Sequence, residues 1–296
     1  MGFVRKSDNL EKIKWKSSLC FECLNVKIGV RSNNPAFINR LKRRFPEIVP
    51  IPSSEITEEE VRHLFSVTKG GKSGKEFRLY KGSDFILTKM SAEDIVNYLE
   101  SQIRSIIAEH AEEFVFLHAG VVSWKGRGIV IPGKSFSGKS TLVSELIKRD
   151  CEYLSDEFAV IDKKGYVHPF PKKISMRGII DEYKQVDLAV AEFGGRESKK
   201  PVPVDYFLVT EYKKERKKPR IKIDSTGEGV MVGVANSISI RQNPRLVLEV
   251  LSLVAERALI LKTKRGEAGE FAEFLLNYLE KIESSKANVA SAKSKG

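Results

Sequence analysis

Apolar residues recur along the chain with two different periods, and these periods predict its strands and helices. Alternating or continuous apolar stretches predict strands, whereas apolar residues spaced three or four apart predict helices. The predicted strands are residues 20–30, 77–80, 85–90, 114–122, 128–131, 152–154, 158–162, 166–170, 203–212, 221–223 and 259–262. The predicted helices are residues 36–45, 58–64, 91–107, 140–148, 244–258 and 266–282. The mixture predicts an α/β fold.

Prolines and one helix start predict the domain organisation. Three prolines between residues 46 and 52 are expected to end the first long helix and to force an extended linker. Ser91 then opens a capping box for a helix with one apolar face. We therefore expect a small α+β domain at residues 1–90 and a larger domain at residues 91–283. Residues 284–296, which are rich in lysine, serine and alanine, are predicted to be disordered.

Composition mainly excludes classes of protein. No apolar run approaches the length of a membrane span and no signal sequence begins the chain, so we expect a cytoplasmic protein with no membrane partner. The 3 cysteines cannot form a disulfide framework. Cys20 and Cys23 are three apart on a predicted strand, so they should face opposite sides, and no second pair completes a zinc site. We expect reduced, structural thiols.

The formal net charge of +12 raises the question of a nucleic-acid partner. Basic clusters occur at residues 40–44, 172–173, 199–200 and 213–220. Acidic residues interrupt them, and no aromatic platform for bases accompanies them. Solvated surface therefore explains the clusters better than nucleic-acid binding.

One segment carries a recognisable chemical pattern. Gly133 to Ser140 matches G-x-x-x-x-G-K-[ST], the Walker A phosphate-binding loop, between a predicted strand and a predicted helix. Its amides and the helix N-terminus can cradle phosphate, Lys139 can reach the outer phosphates, and Ser140 can ligate Mg²⁺. The predicted nucleotide-binding residues are Gly133, Lys134, Ser135, Phe136, Ser137, Gly138, Lys139, Ser140 and Thr141.

Two acidic residues follow the next predicted strand. If that strand lies in a parallel sheet, Asp156 and Glu157 should open beside the phosphate loop. One acid could then take a proton from a hydroxyl acceptor and the other could support the metal, although an acidic turn before a hairpin is the alternative. His118, on the strand before the loop strand, has either a structural or a functional role.

The order of these motifs resembles the catalytic domain of HPr kinase/phosphorylase and its related proteins. The matching residues are Leu117–Gly120, Gly133–Thr141 and Leu154–Glu157. The resemblance implies a phosphate-loop kinase core similar to that of phosphoenolpyruvate carboxykinase. It implies Asp156 as general base, adjusted by His118, with Lys139 on phosphate. Metal would be held by Ser140, Glu157 and Asp156, and Arg177 becomes a candidate transition-state cation.

The implied activity is an ATP- and Mg²⁺-dependent kinase acting on a protein or peptide serine or on a small alcohol. The chain departs from the family at Glu157, which replaces an aspartate, and at Ser175, which stands where HPr kinase has a glutamate. The alternatives are a nucleotide-binding sensor with little transfer and a basic scaffold. The acceptor, the use of GTP or pyrophosphate, phosphorylase activity and assembly into a homo-oligomer stay open.

Overall fold

A computed structural model describes residues 10–70, 74–134, 137–177 and 185–293. The chain divides into two compact units, Met1–Glu112 and Glu113–Gly296. Both units combine helices with strands, which confirms the α/β class in general. Within the described ranges, no helix is both long and apolar enough to cross a bilayer.

The described part of the first unit contains one sheet, in which most neighbouring strands are antiparallel, and two α-helices. Its elements are β1 (Ser17–Cys23), β2 (Val26–Ser32), α1 (Pro35–Ile48), β3 (Ser54–Glu55), β4 (His63–Gly70), β5 (Glu76–Lys81), β6 (Asp84–Lys89) and α2 (Ala92–His110). The strand order is β3-β1-β2-β4-β5-β6. Because α2 contacts α1 and β2, it belongs to this unit. The unit therefore ends later than the boundary expected after residue 90.

Three local predictions in this unit are wrong. The strand expected at residues 20–30 is a hairpin, because Leu24 and Asn25 both adopt positive φ, at 50° and 65°, and turn the chain. Pro46 lies inside α1 instead of ending it. The helix continues because Ile48 is fully buried in the core, which outweighs the lost backbone bond. Residues 58–64 hold only a single 3₁₀ turn before β4 begins.

The second unit is a larger mixed sheet covered by helices. Its elements are β7 (Phe114–Trp124), β8 (Arg127–Pro132), α3 (Lys139–Ile147), β9 (Glu152–Ser155), β10 (Phe158–Asp162), β11 (Tyr166–His168), β12 (Ile174–Arg177), β13 (Gln185–Leu188), β14 (Val202–Tyr212), β15 (Lys222–Ile223), α4 (Thr226–Asn236), α5 (Pro244–Arg257), β16 (Leu259–Arg265) and α6 (Ala268–Lys293). The main strand order is β11-β10-β7-β8-β14-β16-β15, and β9 pairs with β7.

Alternating side chains of the central strands feed two cores, one on each face of this sheet. Val121 and Val130 belong to the core that contains the apolar residues of α5. Val122 and Ile129 belong to the core that contains those of α3 and α6. The sheet is thus buried on both faces, which explains why its central strands are continuously apolar.

The sequence patterns missed several features of this unit. Strands β14 and β15, although consecutive in the chain, are not neighbours in the sheet: both pair with β16, the first in parallel and the second antiparallel. The helix α4 was not predicted, since its three glycines lower helix propensity. Residues 284–293, expected to be disordered, continue α6. This segment contains no glycine or proline that would stop a helix.

The glycines of α4 provide a test of this packing. A Cβ on Gly229 would lie 2.6 Å from Cδ1 of the buried Ile260, whereas a Cβ on Gly227 would meet only Ser225 Oγ at 3.9 Å. We expect Gly229→Ala to lower the free energy of unfolding by about 1–2 kcal/mol through overpacking. Gly227→Ala should raise it by up to about 1 kcal/mol through helix propensity. Urea denaturation measures both, and equal effects of the two substitutions would refute the proposed α4 packing.

Candidate functional site

We refer to the motif at residues 133–140 as the glycine-rich segment. It lies at one edge of the second unit's sheet, where the carboxyl end of β8 is found. It leaves β8 at Pro132 and enters α3 at Lys139. Strands β14 and β16 run parallel to β8, so their carboxyl ends meet at the same edge. Gly138 is the N-cap of α3 with a φ of 79°, a conformation that favours glycine. The predicted residues Ser135 and Phe136 lie outside the described residues.

Lys139 is held inward by the segment's own backbone. Its Nζ donates hydrogen bonds to the carbonyl oxygens of Gly133 at 2.6 Å and Lys134 at 2.8 Å. Only 7% of the residue is exposed. Burial lowers the pKa of Lys139, and the nearby Asp156 carboxylate opposes that shift. An anion that binds here would exchange with these two carbonyl contacts.

The two acids lie in an interruption of a β-ladder. Along the same side of β7, β9 pairs with residues 121–123 and β10 pairs with residues 114–118. In the interruption the amide of Ala119 donates to the Glu157 carbonyl at 3.2 Å. Ser155 Oγ accepts from the amides of Glu157 at 3.3 Å and Phe158 at 3.1 Å. Such an irregularity can redirect side chains away from the ladder.

This arrangement corrects the sheet geometry expected from sequence. Strand β9 pairs antiparallel with β7, not within a parallel sheet. Because β7 is also antiparallel to β8, β9 and β8 run in the same direction and end at the same edge. Asp156 and Glu157 therefore follow a strand end next to the glycine-rich segment, although β7 lies between the two strands.

Gly120 is the point at which the lysine and the acid come together. A Cβ on Gly120 would lie 3.8 Å from Asp156 Oδ1 and 3.9 Å from Lys139 Cβ. It would also lie 2.6 Å from Val143 Cγ2, so a side chain cannot fit unless Val143 shifts. The glycine thus permits the close approach of the two functional candidates.

The carboxyl group of Asp156 is poorly solvated. Its Oδ1 is buried and has no hydrogen-bond partner among the described residues, while the Ser140 side chain hydrogen-bonds to the carboxyl group. Burial raises the pKa of Asp156 from 3.8 to about 6, against the lowering effects of Ser140, Lys139 and Lys172. A buried acceptor atom without a protein donor can be satisfied by a water molecule, a hydroxyl group or a cation.

Lys172 joins the acids, although its sequence context indicated only solvated surface. Its Nζ lies 3.7 Å from Glu157 Oε1. Its backbone carbonyl accepts a hydrogen bond from the buried Tyr153 hydroxyl at 2.9 Å, which fixes the chain at this point. The site therefore contains a second lysine near the acidic pair.

His118 contacts the glycine-rich segment instead of the acid. Its Nδ1 is 2.9 Å from the Gly133 carbonyl oxygen, and its own carbonyl accepts from the Gly133 amide at 3.1 Å. Because a carbonyl can only accept, Nδ1 carries the proton. Burial and the charge of Lys139 lower the pKa of His118, which favours the neutral ring. His118 was expected to tune Asp156, but no hydrogen bond between these two side chains is found among the described residues.

Arg265 is a further buried cation that the sequence patterns missed. It is 2% exposed at the end of β16. Its Nη2 donates to the Gly138 carbonyl at 2.9 Å and its Nη1 to the Gly266 carbonyl at 3.1 Å. The predicted last strand ended before this residue, so nothing in the pattern connected it to the glycine-rich segment.

Unsatisfied polar atoms around the segment match the groups that nucleotide and metal would bring. Besides Asp156 Oδ1, the buried Ser137 Oγ and Arg265 Nε have no hydrogen-bond partner in the described part of the chain. One acceptor and two potential donors fit a phosphate with its cation. No cluster of three or more His, Cys, Asp or Glu residues suited to a metal occurs among the described residues. A hydroxyl and two carboxylates, from Ser140, Asp156 and Glu157, fit Mg²⁺ that also binds phosphate oxygens.

The remaining predicted residues contribute less to this geometry. Thr141 is exposed in the first turn of α3. Arg177 ends β12, but its side chain lies outside the described part of the structure. Ser175, at the position where a glutamate was expected from the family pattern, donates to Asp187 at 2.6 Å. Comparison with known proteins adds no assignment, because no family model and no curated protein matches the chain.

The raised pKa of Asp156 predicts a pH-dependent stability. The folded state holds this proton more tightly than the unfolded chain, so ionisation opposes folding. The free energy of unfolding of the wild type should therefore fall, relative to Asp156→Asn, as the pH rises from 3.8 to about 6. Urea unfolding of both proteins in EDTA between pH 3 and pH 8 tests this window. Parallel pH profiles would mean that burial does not disfavour the carboxylate.

Proposed function

We propose that the protein is an ATP- and Mg²⁺-dependent kinase that transfers the γ-phosphoryl group to a hydroxyl. In this proposal its second unit has a phosphate-loop core of the HPr kinase and phosphoenolpyruvate carboxykinase type. Support comes from the position of the motif, which follows β8 at Gly133 and runs into the first turn of α3 at Lys139 and Ser140, where backbone amides can face an anion. The acceptor is a serine of a protein or peptide, or a small alcohol.

One observation carries the proposal more than any other. The buried Asp156 Oδ1 has no hydrogen-bond partner among the described residues, and both this atom and Lys139 Cβ lie next to Gly120. A protein that only binds nucleotide needs the lysine and the serine of the motif, and can use a carboxylate to support the metal, but it needs no general base. A kinase needs such a base to receive the proton of the attacking hydroxyl.

The proposed reaction gives Asp156 two roles, as proton acceptor and as metal ligand, and gives each of the other residues one role. Asp156 accepts the proton while the acceptor oxygen forms its bond to the γ-phosphorus and the bond from that phosphorus to the ADP oxygen breaks. Lys139 stabilises the charge of the outer phosphates. Ser140, Asp156 and Glu157 would hold Mg²⁺, which neutralises charge on phosphate oxygens when it is bound. Asp156 then returns its proton to solvent.

A nucleotide sensor is the second candidate, and one observation favours it. Lys139 already donates two hydrogen bonds to the carbonyls of Gly133 and Lys134. Binding of a phosphate would break these bonds and could rearrange the segment, as a switch requires. The two functions differ in their need for Asp156.

Lys139→Met tests the phosphate site. The substitution removes the ammonium group while retaining a long apolar stem, so the fold should persist and Mg·ATP affinity should fall at least about 10-fold. Lys148→Met, at the other end of α3, is the matched control and should bind Mg·ATP normally. Titration calorimetry measures both, and unchanged affinity of the Lys139 variant would refute the assignment.

Asp156→Asn tests the transfer step. The amide keeps the size of the side chain but cannot take the hydroxyl proton, so phosphoryl transfer or background ATP hydrolysis should fall at least about 100-fold. Mg·ATP affinity should stay close to normal, and Glu157→Gln should show mainly altered Mg²⁺ dependence. Asp150→Asn, at an exposed aspartate, serves as control. Wild-type turnover by the Asp156 variant would favour the sensor instead.

A further inference from the structure

The loop between β14 and β15 is a dense cluster of positive charge. It follows the carboxyl end of β14, at the edge of the sheet where the glycine-rich segment lies. It contains six basic residues and a single acid, Glu215, and all seven are exposed. The basic residues are Lys213, Lys214, Arg216, Lys217, Lys218 and Arg220. We refer to residues 213–220 as the basic loop.

The basic loop is joined to the glycine-rich segment through β16. The Lys213 amide donates to the Arg265 carbonyl at 2.8 Å. A Cβ on Gly266 would overlap the Arg216 carbonyl oxygen, so the loop backbone lies directly on this glycine. Arg265 in turn donates to the Gly138 carbonyl. The loop is therefore fixed at the same edge of the sheet as Lys139 and Asp156.

Most of the loop's charge is not neutralised within the protein. Lys213 pairs with Glu211 at 2.7 Å. No other basic residue of the loop forms an ion pair with any described residue. A cluster of exposed lysines and arginines attracts a negatively charged partner and increases its local concentration.

We propose that the basic loop binds an acidic peptide segment of the phosphate acceptor and presents its hydroxyl to the candidate site. This inference rests on the proposed kinase function and narrows its substrate to a protein rich in aspartate or glutamate near the target serine. A nucleic-acid strand is a poorer match, because the loop has no aromatic side chain on which bases could stack. Tyr212, which precedes the loop in the chain, has its hydroxyl bonded to Glu267 at 2.8 Å.

The test compares two charge reversals of equal size. Lys217→Glu/Lys218→Glu changes the basic loop, and Lys42→Glu/Arg43→Glu changes an exposed basic pair on α1 by the same net charge. The probes are three fluorescein-labelled peptides in which serine alternates with glutamate, with glutamine or with lysine. Their binding is measured by fluorescence anisotropy at 50 mM salt. The wild type should bind the glutamate peptide best, and raising the salt to 0.5 M should weaken this binding.

The loop reversal should weaken glutamate-peptide binding at least about 10-fold, and the α1 reversal less than about 2-fold. Mg·ATP affinity, measured separately, should be the same in all three proteins, so a failure of the nucleotide site would be distinguished from a failure of the loop. Equal losses in the two reversals would overturn the proposal. Stronger binding of a single-stranded oligonucleotide than of the glutamate peptide would also overturn it.

Discussion

The packing of both Lys139 and Asp156 against Gly120 is the constraint on which the candidate site depends. Two charged groups are brought out of water there, and desolvation shifts the pKa of each toward its neutral form. The absence of a side chain at Gly120 allows β7 to contact α3. The β-ladder is interrupted at the same level, which allows Asp156 to leave its strand. Packing and chemistry are therefore set by the same few residues.

The surrounding framework maintains this packing at some cost in stability. Three buried polar atoms near the glycine-rich segment have no partner among the described residues. A buried polar atom that also has no water partner costs about 1–3 kcal/mol of folding free energy. Binding of phosphate and a cation would satisfy them, so ligand binding and folding stability should be coupled. Arg265 fits this scheme, because it contacts Gly138 from a distant strand and is itself incompletely bonded.

The sequence predicted the local features better than the distant ones. The strand, glycine-rich segment and helix around Lys139 follow from residues adjacent in the chain, and the helix bounds agree closely with the prediction. Asp156 also lies near Lys139, although the parallel pairing assumed for its strand is wrong. Lys172 and Arg265 were missed because their positions depend on Tyr153 and on the pairing of β14 with β16. No local periodicity encodes such pairings.

The misjudged elements have a common physical origin. Pro46 inside α1 and the glycines of α4 oppose helix formation locally, but burial against the core overrides propensity at both places. The hairpin turn at Leu24 and Asn25 and the basic loop show the reverse case, in which strand partners decide what a short polar segment does. The basic loop in particular passes over the end of β16 because β16 separates β14 from β15.

A crystal structure of the protein with Mg²⁺ and a non-hydrolysable ATP analogue would test the central claim most directly. We expect the β- and γ-phosphates to lie on the amides of the glycine-rich segment. Lys139 Nζ should have left the carbonyls of Gly133 and Lys134 for phosphate oxygens, and Asp156 Oδ1 should face the space beside the γ-phosphorus. A nucleotide bound elsewhere, or a Lys139 still bonded to both carbonyls with the analogue present, would contradict this account.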